Sequence, residues 1–271
     1  MLIAYHTGQS PLLREGEVKA MLDSLKEGGA ELYNADSTQD LRENTGVLLS
    51  IGGDGTFLSS VRIVSDTGIP IAGVNTGHLG FLSENKPEDI SRALLCGKYS
   101  IESRDVLQVS MDPAPGDKFW PYAFNEAGFR ISEATMMGID VTVGDTVLPT
   151  YWADGLLVAT SSGSTAYSLS VGGPICLPEV KAHIVAPIAP HNFNLRPLIV
   201  PSDVPITLKC HPRSGDAVVF MDNRSYRVAN GTTLKLTLAP FKVKKLVLGG
   251  SSFITALRTK LFWGEDRRNE R

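Results

Sequence analysis

Near residue 98 the apolar pattern of this chain changes period, which calls for two units of different architecture. Upstream, short apolar runs alternate with amphipathic stretches. Leu2–Tyr5, Gly46–Ile51 and Ile69–Val74 read as strands, while Leu12–Leu25, Phe57–Val64 and Pro87–Leu95 have helical spacing. The first of these helices puts Leu13, Val18, Met21, Leu22 and Leu25 on one face, and the last stops at Gly97. Strands separated by helices run parallel with both faces covered, so residues 1–98 are expected to form a Rossmann-like parallel α/β domain. Downstream, Ile101–Met111, Tyr122–Ile131, Ile139–Val143, Val204–Cys210, Ala217–Met221, Leu234–Leu238 and Val243–Leu248 are strand-like. One short helix is expected among them, over Gly163–Val171. Residues 99–249 therefore read as a C-terminal β-rich domain. Residues 250–271 are a candidate to complete the first domain, ending in the mixed-charge tail Glu265–Arg271.

The formal net charge of -3 offers no basic field for a nucleic-acid backbone or an anionic membrane, so both partners are disfavoured. No window approaches 18 uninterrupted apolar residues, and Met1–His6 lacks the basic start of a secretory leader. Cys96, Cys176 and Cys210 are far apart and lack metal-site spacing, so they read as reduced and mostly buried thiols. A cytoplasmic protein is expected.

The strongest chemical signal is Leu48-Leu49-Ser50-Ile51-Gly52-Gly53-Asp54-Gly55-Thr56-Phe57-Leu58. A strand ends, three glycines in four positions let the backbone turn, and a helix is expected from Thr56 or soon after. Amides in such a turn, backed by a helix N-terminus, form a concave donor array for phosphate. A bare carboxylate there would repel phosphate, so Asp54 makes chemical sense if it meets a hydroxyl or a phosphate-bound metal ion. Asp54 as a plain helix cap would explain one glycine, but not three. The run is not a Walker loop, which needs a lysine, nor a dinucleotide G-x-G-x-x-G, whose last position here is Leu58.

Three further runs stand near it in chemistry. Asn75-Thr76-Gly77-His78-Leu79-Gly80-Phe81-Leu82 follows the Ile69–Val74 strand and would lie at the same carboxyl edge, where parallel sheets bind ligands. His78 alone reads as a structural hydrogen-bonding residue and takes no role. Asn125-Glu126 closes an aromatic run, and an amide beside a carboxylate can read a purine edge and ribose hydroxyls. Asp154–Ser170 carries six Ser or Thr between 160 and 168 beside Tyr167, a supply of small polar groups and one aromatic face for a nucleotide.

Together GGDGTFL, NTGHLGF, NE and DGLLVATSSGSTAYSLSVGGPI resemble, in order and spacing, the bacterial ATP- or polyphosphate-dependent NAD kinases over nearly the whole chain. GGDGT is shared with phosphofructokinases and with diacylglycerol and sphingosine kinases, so the long fourth run is the specific one. The resemblance implies phosphorylation of the 2′-hydroxyl of the adenosine ribose of NAD to give NADP, with Asp54 as proton acceptor and Gly55 beside it at the substrate. It implies NAD contacts from Asn125, Glu126, Asp154, Ser162, Thr165, Ala166, Tyr167, Ser168, Leu169 and Ser170 in the β-rich domain. It also implies a divalent cation, normally magnesium, and a homodimer or homotetramer; no residue is assigned as a metal ligand. A lipid or sugar kinase, or a nucleotide sensor without turnover, are the alternatives. The chain departs from the pattern at Thr160-Ser161-Ser162-Gly163-Ser164, where a proline is common at the second position, and at Asp222-Asn223, where Asp-Gly is common. Asn tolerates the same turn conformations as Gly at such a place.

Overall fold

The computed structural model describes residues 1–8, 16–77, 80–116, 119–132, 135–249 and 252–264. His78, Leu79, the leading part of the Leu12–Leu25 helix and the Glu265–Arg271 tail lie outside them. The chain divides into one unit of Met1–Ser103 with Val243–Arg271, and a second of Arg104–Lys242.

The first unit opens with β1 (Leu2–His6), α1 (Gly16–Glu27), β2 (Glu31–Asn34), β3 (Thr45–Ile51), α2 (Asp54–Val64), β4 (Ile71–Val74), α3 (Pro87–Cys96) and β5 (Tyr99–Arg104). β1 pairs in parallel with β2 and β3, and β3 with β4, so the carboxyl ends of these strands share one edge. α1 forms because Val18, Met21, Leu22 and Leu25 recur at helical spacing, and all four are buried. They pack with Ile90 and Leu94 of α3 and with the sheet residues Ile3, Val47, Leu49 and Ile51. Gly97 ends α3 in the left-handed conformation, as its position after the apolar stripe predicts. Cys96, just before it, is exposed, whereas Cys176 and Cys210 are buried.

The second unit contains β6 (Leu107–Asp112), β7 (Tyr122–Ala123), β8 (Glu126–Ile131), β9 (Met137–Val143), β10 (Thr146–Val147), β11 (Tyr151–Thr160), α4 (Tyr167–Ser170), β12 (Ala182–Pro190), β13 (Leu198–Pro201), β14 (Ile206–Pro212), β15 (Ala217–Met221), β16 (Arg224–Val228) and β17 (Thr233–Leu238). Its main path runs β16-β15-β8-β11-β9-β14-β17-β6-β7, while β12 pairs with β11 and β13. The alternation read from the sequence marks the core face: Ile139 and Val141 of β9, Ile206, Leu208 and Cys210 of β14, and Leu234 and Leu236 of β17 are all buried together. The single strand expected over Ile101–Met111 is two strands, β5 and β6, in different sheets.

The last strand departs from the sequence reading. Val243–Leu248, grouped above with the β-rich half, is β18 and pairs in parallel with β4, returning the chain to the first sheet ahead of α5 (Phe253–Leu261). That sheet is ordered β2-β1-β3-β4-β18-β5. Lys245 hides this placement from a hydropathy reading. It interrupts the apolar pattern yet is only 4% exposed, because Glu84 and the Phe81 carbonyl receive its ammonium.

Candidate active site

In the first unit the turn after β3 and the loop after β4 are neighbours because their strands are paired: the Gly52 N–H donates to the Val74 carbonyl at 2.9 Å. Gly52 has φ +149° and packs on Thr56, where a Cβ would come within 2.5 Å of the hydroxyl oxygen, so this position demands glycine. Gly53 and Gly55 face open space, which leaves the backbone there accessible to a ligand. α2 starts at Asp54, two residues earlier than expected, with Gly53 as its N-cap.

Asp54 does not cap its own helix. Its carboxylate accepts the Phe81 N–H on Oδ2 at 2.9 Å and the Leu82 and Ser83 N–H groups on Oδ1 at 3.0 and 2.9 Å. Gly80 approaches so closely that a Cβ would sit 1.9 Å from Oδ1. A carboxylate offers about four lone-pair directions. Three are filled, and the one left is on Oδ2. The loop that donates to Asp54 is tied from behind by Asn85, whose side chain donates to the Gly73 carbonyl at 2.8 Å. Asp54 is thus held in one orientation by the backbone of Phe81, Leu82 and Ser83, at the carboxyl edge of the sheet.

In the second unit Asn125 and Glu126 stand at the start of β8 and are 8% and 6% exposed. The Asn125 carbonyl accepts the Thr160 N–H at 2.8 Å, and Gly163 lies against the same carbonyl, with no room for a Cβ. The Ser/Thr-rich run is therefore folded directly onto Asn125. Several of its hydroxyls are spent there: Thr160 bonds the Phe124 carbonyl, Ser161 the Ala182 carbonyl, and Ser164 both the N–H and C=O of Cys176. Their density in the sequence reflects loop construction as much as any ligand. Ser162, Thr165, Ala166, Tyr167 and Leu169 are half-buried, Ser170 is exposed, and Ser168 is buried with an unpartnered hydroxyl.

Glu126 takes the Tyr167 N–H as its hydrogen-bond donor, while its Oε2 is buried without a partner. Burial first, and the nearby Asp222 charge second, push its carboxyl up to about 8. It borders a cavity of about 340 Å³ whose walls include Arg130, Tyr167, Phe220 and Arg224. Asp154 is not part of this cluster. It sits on β11 six residues before Thr160, about 20 Å along the strand at ~3.3 Å per residue, half-exposed and 3.4 Å from His191.

The sequence treated Asp222 only as a turn residue. In the structure Asp222 itself takes the positive φ of the hairpin, +51°, which the reading above assigned to position 223. Its side chain, 4% exposed, accepts the Phe124, Asn125 and Glu126 N–H groups at 2.9, 2.7 and 3.3 Å. Asp54 and Asp222 thus serve one device twice: a carboxylate collecting three successive backbone amides from one segment of the chain. Nothing local at Asp222 announces it, because the amides lie 96 to 98 positions away.

Models of one known family match stretches in both units. The model of the ATP-NAD kinase N-terminal domain matches residues 16–95, and that of the ATP-NAD kinase C-terminal domain matches residues 128–248. The chain belongs to the NAD kinase family. The NAD kinase of Flavobacterium johnsoniae is 40% identical over 234 residues, covering 82% of this chain and 78% of that protein. That of Porphyromonas gingivalis is 37% identical over 269 residues, covering 91% and 92%. Among solved structures, the NAD kinase of Archaeoglobus fulgidus in complex with ATP superposes with a TM-score of 0.75 at 26% identity, covering 96% of this chain and 98% of that one. Yeast NADH kinase complexed with NADH shares the fold, with a TM-score of 0.86 at 19% identity, covering 100% and 90%.

No helix among the described residues is long and apolar enough to cross a membrane. Among the described residues, no group of three or more His, Cys, Asp or Glu side chains is arranged to hold a metal ion. Magnesium usually keeps its waters and binds through one or two carboxylates plus substrate phosphates, so a protein cage is not required of this fold.

Proposed function

We propose that this chain transfers the terminal phosphoryl group of ATP, or of polyphosphate, to the 2′-hydroxyl of the adenosine ribose of NAD. The observation that carries the mechanism is the single unused lone-pair direction of Asp54 Oδ2, on a carboxylate otherwise fixed by three amides. The 2′-oxygen attacks the terminal phosphorus, the bond from that phosphorus to the bridging oxygen breaks, and the hydroxyl proton goes to Asp54. With ATP the products are NADP and ADP. Exposed backbone at Gly53 and Gly55 receives the phosphates, as a helix N-terminus favours. A divalent cation, carried by the donor's phosphates, supplies charge neutralisation when bound. Asn125, Glu126, Gly55 and the Ser162–Ser170 run hold the dinucleotide, and Tyr167 offers its ring to it. The direct test is to incubate pure protein with magnesium, a panel of phosphoryl donors, and NAD or NADH, and to quantify NADP and NADPH. Phosphorylation of a lipid or sugar hydroxyl in place of NAD would refute the reading, and NAD binding without product from any donor would leave a sensor.

Tyr167→Ala weakens NAD binding by about 1–3 kcal/mol, the worth of one large aromatic contact. The ring stands 5.6 Å from Phe220 and packs against the buried cluster of Leu157, Ala159 and Ile184. The melting temperature therefore falls as well. Unchanged NAD affinity in titration calorimetry would make the tyrosine purely structural.

Self-association is expected through the β-rich unit. β13 pairs on one side only, with β12, among the described residues, and Ile199 on it and Phe193 just before it are 53% and 96% exposed. Mass measurement in solution at micromolar protein should give a dimer or tetramer, and a monomer alone would contradict this.

A further inference from the structure

A loop that handles a polyanionic donor needs positive charge, and the Gly52–Thr56 turn carries none. The structure brings two lysines to the segment that grips Asp54. Lys245 of β18 is committed: its ammonium is 2.8 Å from Glu84 Oε1 and 3.2 Å from the Phe81 carbonyl, and its side chain is 5% exposed. Lys260 of α5 is placed differently. Its ammonium bonds the Gly80 carbonyl and lies 4.7 Å from the centre of the Phe81 ring. Both of these partners are neutral. Gly80 is also the residue at which a Cβ would collide with Asp54 Oδ1. The ammonium is thus attached to the residue that touches the reacting carboxylate.

We propose that Lys260 is the cation that receives the donor's terminal phosphate at the Gly52–Thr56 turn, taking the part that a Walker lysine takes in other phosphate loops. This rests on the reading of Asp54 as the proton acceptor. Burial presses Lys260 toward its neutral form; Glu84 opposes that, Lys245 reinforces it, and Asp54 opposes it. An arriving phosphate supplies the direct counter-charge that a carbonyl and a ring face do not. The four-carbon stem lets the ammonium leave Gly80 for the phosphate without any movement of α5, whose Ala256 and Leu257 are buried. Phe253, at the start of α5, lies 6.0 Å from the Phe81 ring and keeps the helix in register with this loop.

The test compares Lys260→Met, which keeps the apolar stem over Phe81 and loses the charge, with Lys260→Arg, which keeps the charge. Initial rates are measured with ATP varied at saturating NAD and with NAD varied at saturating ATP, and inorganic tripolyphosphate binding is measured by calorimetry without NAD. The expected result for Lys260→Met is a KM for ATP raised about ten- to one-hundred-fold, the worth of one charge-assisted hydrogen bond. The KM for NAD stays at its wild-type value, tripolyphosphate binding weakens in parallel with ATP, and Lys260→Arg recovers most of both. An unchanged KM for ATP in Lys260→Met overturns the proposal. So does a rise in both KM values that follows a fall in melting temperature, or a chain that folds with neither Met nor Arg at position 260, since the lysine is then a structural tie. Failure of the underlying reading looks different: Asp54→Asn would keep its turnover at saturating donor, while tripolyphosphate binding would still report on Lys260.

Discussion

Asp54→Asn should lower NADP formation by about 10²–10⁴-fold, the usual worth of a general base, while NAD still binds. The amide matches the carboxylate in size but cannot take the proton from the 2′-hydroxyl. An active-site carboxylate facing phosphate is ordinarily indifferent or costly to stability. The geometry here reverses that expectation, because Oδ1 and Oδ2 together satisfy the amides of Phe81, Leu82 and Ser83. Asn retains one acceptor oxygen and turns an N–H toward at least one of those donors. Leaving a buried amide unpaired costs about 1–3 kcal/mol, and each kcal/mol lowers the melting temperature of a chain this size by about 2–4 °C. The variant should therefore melt several degrees early, and activity must be compared at a temperature where it is folded. The three measurements are NADP formation, NAD affinity and melting temperature. Near-normal turnover in the folded variant would remove Asp54 as the base and move the search to Glu126.

What the sequence revealed about these sites follows from how local each interaction is. The Gly52–Thr56 turn was legible because strand, glycines and helix are contiguous, and the helix boundary missed by only two residues. The parallel pairing of β1, β3 and β4 was legible from alternation with helices, though not their order. β18 was legible as a strand but not as a member of this sheet, since its buried Lys245 breaks the apolar pattern and its partner Glu84 lies 161 positions away. The same limit hid Asp222 and Lys260, whose partners are 96 to 98 and 180 positions distant. The Ser/Thr run erred in the other direction. Its polar density was visible, but not that Thr160, Ser161 and Ser164 spend their hydroxyls on backbone carbonyls. Residue type announces a polar group; only the fold says what satisfies it.

Asp222→Asn tests whether that hidden carboxylate sets both the shape and the protonation of the Asn125–Glu126 segment. Asp222 and Glu126 are neighbouring carboxyls, and burial pushes both upward. At Asp222 three amides and the Arg224 guanidinium oppose that push, and the Asp222 charge in turn adds to the push of burial on Glu126. Arg130 and Arg224 also border the cavity that Glu126 faces, and Tyr167 donates to it from α4. The sign follows from the raised value. An unfolded glutamate ionises near 4.5, whereas Glu126 in the fold ionises at about 8. Between these the native state binds more protons than the unfolded one, so this group's contribution is full below 4.5 and is lost as pH rises to about 8. Asn at 222 removes the second cause of the shift but not the first, burial. The ionisation of Glu126 should then move to lower pH, and the inflection that it is expected to place in NAD affinity near pH 8 should move with it. The same substitution opposes an N–H to one of the three donors, at a cost of about 1–3 kcal/mol, and removes the carboxylate 3.8 Å from Arg224. A scaffold role alone would lower the melting temperature and leave the inflection in place. NAD affinity measured at pH values on both sides of the Glu126 ionisation, about 8, separates the two. An inflection that stays near 8 in a folded variant would show that Asp222 shapes the segment without governing the charge of Glu126.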